Sequence, residues 1–197
     1  MEKRKYIEDC MQEMIQSAEQ IDIQQINDAV QILFDAYKSE KHVFSVGNGG
    51  SASTASHFAA DLGKFATGDH VGFKSMDIVS NYSAHTAWTN DTNWENTWVG
   101  MLNPWIEAGD VLVLFSVHGG CGWSNNLSKA IRFAQERGAK TIGLAGAGGG
   151  DFKEYCDVFI DIPTSCEELV TPVAESLQVL VHHTICATLR EMINEDK

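Results

Sequence analysis

Basic residues are scarce in this chain of 197 residues. It has 14 lysines and arginines against 27 aspartates and glutamates, which gives a formal net charge of −13. Proteins that bind nucleic acids need clustered lysine and arginine to neutralise phosphates, so this composition argues against a nucleic-acid partner. A small anion is still acceptable, because a loop of backbone N–H groups can be locally positive in an acidic protein.

Long apolar runs are missing as well. No stretch reaches 18 apolar residues, so neither a membrane span nor a membrane partner is expected. The first ten residues, MEKRKYIEDC, lack the apolar core of a signal peptide. The five cysteines are odd in number and contain no CxxC pair, which predicts reduced thiols and a cytoplasmic protein.

Glycine and proline are absent from residues 2–20 and 23–40, where apolar residues recur at helical spacing and predict two N-terminal helices. From residue 42 onward, apolar strands alternate with helices. Strands are predicted at 42–46, near 73–77, and at 110–115, 140–145 and 157–161. Helices are predicted at 52–66, 124–137, shortly after 150, and 171–194, and a helical or irregular region at 81–105. This order predicts an α/β fold: a three-layer α/β/α sandwich with a central parallel sheet, preceded by two N-terminal helices. Without an internal repeat or linker, we expect one domain over 1–197, with a helical segment at 1–40 and the α/β body at 41–197.

The first strand ends in a glycine-rich loop, Gly47-Asn48-Gly49-Gly50-Ser51, and a helix-compatible stretch follows. A loop of this kind can hold a phosphate group, because glycines let backbone N–H groups close on the anion and the helix N-terminus adds a favourable dipole. An ordinary βα turn with a serine cap is the alternative. The loop matches neither GxxxxGK[ST] nor GxGxxG, so no nucleotide cofactor is expected. Ligands of parallel sheets bind beyond the carboxyl ends of the strands, where the loops 47–53, 116–124 and 145–150 are predicted to lie.

Two pairs of ionisable residues stand out on predicted helices. His57 and Asp61 are four residues apart, and Glu175 and His183 are eight residues apart, so each pair lies on one side of its helix. Together they could bind Zn²⁺ or a similar ion, or they could serve as general base and general acid without a metal. A helix-surface hydrogen bond within each pair is the third possibility. His182 competes with His183, and periodicity alone does not say which of them faces the site.

Several motifs together resemble the sugar isomerase (SIS) domain family, and within it the phosphoheptose isomerases. They are GNGGSA followed by HFAAD, the pair Asn90-Asp91, a serine-containing loop after the third main strand, and HTIC in the last helix. The resemblance covers nearly the whole chain and implies an aldose–ketose isomerase that acts on a phosphorylated sugar, most simply one of seven carbons. It also implies a homo-oligomer, a tetramer with the N-terminal helices at an interface.

The resemblance assigns roles to residues of this chain. It implies that Asp61 is the base that abstracts a proton from the substrate and that His183 is the acid/base group on the last helix. It implies a zinc site formed by His57, Asp61, Glu175 and His183. The residues expected to bind the substrate are Asn48, Gly49, Gly50, Ser51, Asn90, Asp91, Ser116, His118, Ser124 and Glu175.

Three departures from the family pattern matter. Asp61 stands where the family has the longer glutamate, and Glu175 replaces a neutral glutamine, which should favour a cation. The loop 116–124 is longer than in the family and carries His118, which either contacts phosphate or caps the loop.

A non-catalytic sugar-phosphate-binding or assembly module is the alternative function, because fold alone does not fix function. Ionisable residues at positions 61 and 183 favour the enzyme.

Overall fold

The computed structural model describes residues 3–196 of the chain. Eight α-helices and five strands occupy this part of the chain. In chain order they are α1 (Lys3–Glu19), α2 (Ile23–Lys38), β1 (His42–Gly47), α3 (Gly50–Gly63), β2 (Lys74–Asp77), α4 (Tyr82–Asp91), α5 (Thr97–Leu102), β3 (Val111–Ser116), α6 (Asn125–Glu136), β4 (Lys140–Ala145), α7 (Gly150–Tyr155), β5 (Val158–Asp161) and α8 (Val170–Glu195). Short 3-10 turns precede α5, α6 and α8.

All five strands form one parallel sheet with the order β2-β1-β3-β4-β5. Alternate residues along the central strand β3 point to opposite faces, as a strand requires. Val111, Val113 and Phe115 pack with α2, α3 and α8 on one face, whereas Leu112 and Leu114 pack with α5, α6 and α7 on the other. The predicted three-layer α/β/α sandwich with two N-terminal helices is therefore confirmed.

Two predicted element boundaries differ in an informative way. The helix predicted at 52–66 begins two residues earlier, at Gly50, because Gly49 adopts a φ of +57° and turns the chain directly into the helix. The region 81–105 is not one element but two helices, α4 and α5, separated by a 3-10 turn. Residue 2 of the first predicted helix lies outside the described residues.

The N-terminal helix α1 is tied to the loop before α8 by Glu13. Its carboxylate accepts hydrogen bonds from Thr164 Oγ1 at 2.7 Å, from the Ser165 N–H at 2.6 Å and from Ser165 Oγ at 2.8 Å. These donors, Thr164 first, lower the pKa of Glu13 to about 2. The side of α1 that carries Ile7, Met11 and Ile15 remains exposed.

Helices α3 and α8 lie side by side on one face of the sheet and run in the same direction. Residues further along α3 contact residues further along α8: Gly50 lies against Glu175, Ser51 against Gln178, and His57 against His183. Both helices begin at the carboxyl edge of the sheet, so their first turns flank the loops at that edge. Within residues 3–196, no helix combines the length and apolar character needed to cross a membrane.

Candidate active site

Three imidazoles surround one carboxylate between the second half of α3 and the middle of α8. Asp61 Oδ2 lies 3.5 Å from His57 Nε2, 3.3 Å from His182 Nε2 and 3.3 Å from His183 Nε2. The Nε2 atoms of His57 and His183 are 3.4 Å apart. We call these four residues the His/Asp cluster. This cluster could hold a metal ion. Each of its residues offers one ligand atom, and these atoms all lie within 4.8 Å of one another.

Four of the six separations between the ligand atoms of the cluster match what a tetrahedral ion needs, and the other two are no longer than 4.8 Å. With Zn–N and Zn–O bonds of about 2.0–2.1 Å, the edges of a tetrahedral site are about 3.3–3.4 Å long. The four separations given above fall between 3.3 and 3.5 Å. The donor set, imidazole and carboxylate, is also one that zinc accepts.

His182 is the most deeply buried member of this cluster, which could hold an ion. It is 0% exposed, and neither ring nitrogen makes a well-formed hydrogen bond, although Nε2 lies 3.3 Å from Asp61 Oδ2. Buried polar atoms are nearly always paired, so a buried imidazole without a well-formed hydrogen bond is a suitable ligand for an ion. Burial, followed by the nearby imidazoles of His183 and His57, lowers the pKa of His182 to about 4. It is therefore neutral at pH 7, which is the form that binds metal.

Glu175 lies away from the cluster. Eight residues of α-helix rise about 12 Å, so Glu175 is near the start of α8 while His183 is two turns further along. Its carboxylate packs against Gly50, where an added Cβ would lie 2.5 Å from Oε1. Three of the four metal ligands expected from the sequence, His57, Asp61 and His183, lie together in the structure. The fourth member of the His/Asp cluster is His182 and not Glu175.

The position of His182 could have been found from the pattern of α8. The buried residues Gln178, Val181, Ile185 and Leu189 recur at helical spacing, and His182 lies on that same side. His183, the next residue, is exposed at the edge of this buried face. The Nε2 atoms of both adjacent histidines lie 3.3 Å from one carboxylate oxygen of Asp61.

The glycine loop is fastened to its surroundings by buried amides. Asn48 exchanges two hydrogen bonds with Asn126, at 3.0 and 3.1 Å, and accepts one from Trp98 Nε1 at 3.2 Å. Ser51 Oγ donates to Gln178 Oε1 at 3.2 Å, and Gln178 Nε2 donates to the carbonyl of Ser116 at 2.8 Å. The sequence reasoning did not single out Gln178, Asn126 or Trp98 for this supporting role.

The remaining predicted residues lie in loops or at helix ends. Ser116 ends β3 and Ser124 precedes α6; both are buried, and Ser124 makes no side-chain capping bond to α6. His118 is exposed, with its ring 6.1 Å from that of Trp123. Asn90 and Asp91 end α4 and hydrogen-bond to each other at 2.9 Å. No described hydrogen bond joins Asn90 or Asp91 to the His/Asp cluster or to the glycine loop.

Comparisons with known proteins agree on one family. The family model described as SIS domain matches residues 5–146. The lincomycin biosynthesis protein LmbN of Streptomyces lincolnensis is 44% identical over 160 residues, which are 79% of this chain but only 58% of that protein. Phosphoheptose isomerase 2 of Campylobacter jejuni is 34% identical over 79% of this chain and 74% of its own length.

A solved structure agrees with these relatives. The phosphoheptose isomerase of Neisseria gonorrhoeae superposes with a TM-score of 0.83 at 26% identity, covering 95% of this chain and 98% of that one.

Proposed function

The chain belongs to the SIS domain family, and from this we propose that it is a phosphoheptose isomerase, which interconverts sedoheptulose 7-phosphate and an aldoheptose 7-phosphate. The observation that supports this most strongly is the His/Asp cluster, in which one carboxylate and three imidazoles converge. Aldose–ketose isomerisation requires groups that can remove and return protons at two neighbouring carbons.

The proton transfers are assigned to Asp61 and His183. Asp61 accepts a proton from C1 of the ketose, and the electron pair of that C–H bond forms the C1–C2 double bond of an enediol. His183 gives a proton to O2 and takes one from O1, and the proton held by Asp61 returns at C2. Asp61 is partly exposed and His183 is half exposed, so both can reach a bound sugar.

The cluster also fits a metal ion, and we propose Zn²⁺ held by His57, Asp61, His182 and His183. A bound ion would supply a Lewis acid for the carbonyl oxygen of the substrate, at a coordination position beyond these four side chains. The residues of the chain orient the sugar beside it and move the protons. His182 replaces Glu175 in the ligand set expected from the sequence, because its Nε2 lies 3.3 Å from Asp61 Oδ2 and the carboxylate of Glu175 lies against Gly50.

The phosphate group is assigned to the loops at the carboxyl edge of the sheet, with Ser51, Ser116 and Ser124 and the backbone from Asn48. The seven-carbon length of the substrate is proposed from the relatives named phosphoheptose isomerase.

The chain is proposed to act as a single SIS domain assembled into a homotetramer in the cytoplasm. The exposed apolar side of α1, formed by Ile7, Met11 and Ile15, supports a role for the N-terminal helices in assembly. Sedimentation at several protein concentrations measures the assembly state.

The test of function is turnover of phosphorylated ketoses of five, six and seven carbons, followed by NMR. We expect the seven-carbon substrate to react fastest, and we expect activity to depend on Asp61 and His183. Glu191→Gln is the matched control, because Glu191 is exposed and lies on the same helix as His183. If none of these sugars reacts, the chain is instead a sugar-phosphate-binding or assembly module.

A further inference from the structure

A cavity of about 660 Å³ lies between the two 3-10 turns that precede α5 and α6. The residues that line it are Asn93, Trp94, Glu95, Gly122, Trp123 and Asn125. Helices α5 and α6 pack on the face of the sheet opposite to α3 and α8, so this cavity is separate from the His/Asp cluster. Its volume is within the usual range for a small-molecule site, and none of its lining residues has a role in the proposed isomerisation.

Two tryptophans give this cavity aromatic walls. Trp123 is 79% exposed and Trp94 is 37% exposed, so much of the surface of both indoles meets water. Trp94 Nε1 donates a hydrogen bond to the carbonyl of Trp123 at 2.7 Å, which fastens the two turns to each other. A ligand that packs on these indoles removes apolar surface from water and gains free energy by doing so.

The polar groups around the cavity carry little net charge. The carboxylate of Glu95 accepts a hydrogen bond from Asn125 Nδ2 at 2.7 Å and pairs with Lys129 Nζ at 2.6 Å, so its charge is balanced. Within residues 3–196, no hydrogen bond involves Asn93 Nδ2, Asn125 Oδ1 or Trp123 Nε1. These atoms offer a ligand two donors and one acceptor, all of them neutral.

We propose that this cavity binds an uncharged sugar ring, such as that of a glycoside or the end of a glycan, at a site separate from the phosphosugar site. The ring of a sugar presents C–H groups on its faces, which pack against an indole. Its hydroxyl groups lie around the edge, where they both donate and accept hydrogen bonds, as the neutral amides and the indole N–H require. An ionised ligand fits less well, because the cavity offers no unbalanced charge to compensate for its loss of water.

The test uses the methyl α-glycosides of glucose, mannose and galactose as probes, measured by saturation-transfer NMR and by tryptophan fluorescence. A methyl glycoside cannot open to a free carbonyl and carries no phosphate, so an aldose–ketose isomerase does not convert it. We expect at least one of the three to bind the wild type, and we expect Trp123→Ala to weaken that binding about tenfold. Trp105→Ala is the matched control, because Trp105 is also exposed but does not line the cavity. Circular dichroism verifies that both variants are folded.

Failure of all three glycosides to bind the wild type overturns the proposal, as does an equal loss of binding in Trp105→Ala. Displacement of the glycoside by sedoheptulose 7-phosphate overturns it too, since the glycoside would then occupy the phosphosugar site. Adenosine is the comparison for stacking alone, and tighter binding of adenosine than of every glycoside would show a site for a nucleobase instead. Turnover of sedoheptulose 7-phosphate is measured separately, so these results do not decide the isomerase activity.

Discussion

Replacing His182 with leucine should stabilise the metal-free protein and at the same time remove its metal site. The two ring nitrogens of His182 are fully buried and make no well-formed hydrogen bond, although Nε2 lies 3.3 Å from Asp61 Oδ2. An unsatisfied buried polar group costs about 1–3 kcal/mol, which leucine does not incur. The change of shape costs up to about 1.5 kcal/mol, since volume-conserving core replacements are tolerated best. The difference runs from a loss of about 0.5 to a gain of about 3 kcal/mol and is centred on a gain of about 1 kcal/mol, or roughly 2–4 °C in melting temperature for a chain of this size.

Zinc should reverse the order of stability. A ligand present at about 100 times its Kd stabilises the folded state by about 2.7 kcal/mol. The wild type gains this amount, whereas His182→Leu lacks one of the four side chains of the cluster and gains much less. The variant should therefore melt above the wild type in chelator and below it in zinc.

The assay is thermal or urea unfolding of both proteins, in chelator and in excess zinc, combined with metal analysis of the purified proteins. His70→Leu is the control, because His70 is an exposed histidine outside the cluster and its replacement should alter neither quantity. If His182→Leu is less stable than the wild type in chelator, the imidazole has a stabilising partner and the reasoning fails. If zinc stabilises both proteins equally, His182 is not a ligand.

Three further predictions concern catalysis, phosphate binding and the N-terminal helix. Asp61→Asn and His183→Gln should each lower the rate of isomerisation about 100-fold or more without unfolding the protein, measured by NMR turnover together with circular dichroism; an effect below about threefold would remove the residue from proton transfer. Ser124→Ala should weaken phosphosugar binding by about 1–2 kcal/mol in calorimetry, the scale of a lost hydrogen bond to a charged group, and unchanged affinity would separate this loop from the phosphate. Glu13→Gln should lower the melting temperature at pH 7, because the folded-state pKa of Glu13 is lowered from 4.5 to about 2, chiefly by the hydrogen bond from Thr164. Its ionised form therefore adds stability above pH 4.5 that is lost as the pH falls towards 2, so the difference between the two proteins should shrink over that interval; a constant difference would contradict this account.

The sheet could be predicted because each strand and each helix is marked by its own local run of residues. Apolar strands alternating with helices imply parallel strands with both faces covered, and the structure has them in one five-stranded sheet. The start of α3 could not be placed from periodicity, because it depends on the positive φ of Gly49. The division of 81–105 into two helices was also not visible, since no residue of α4 is buried and the segment carries little helical amphipathicity.

Site residues were harder to place than strands. Helical spacing predicts which side of a helix a residue is on, but it does not predict which residue of a neighbouring helix it contacts. The eight-residue interval puts Glu175 and His183 on one side of α8 but separates them by about 12 Å along the axis. The neighbouring helix decides what each one meets, and Glu175 meets Gly50 while His183 meets His57 and Asp61. The choice between His182 and His183 had no single answer in the sequence, because both contact the same carboxylate oxygen.

The most direct test of the account is isomerisation of sedoheptulose 7-phosphate in deuterium oxide by the wild type and by Asp61→Asn. Proton transfer through an enediol predicts solvent deuterium at C2 of the aldose product, because a proton held by Asp61 exchanges with water before it returns. The account also predicts that Asp61→Asn loses both turnover and deuterium incorporation. An aldose product that carries no deuterium, formed equally fast by the wild type and by Asp61→Asn, would contradict the assignment of this cluster as the catalytic centre.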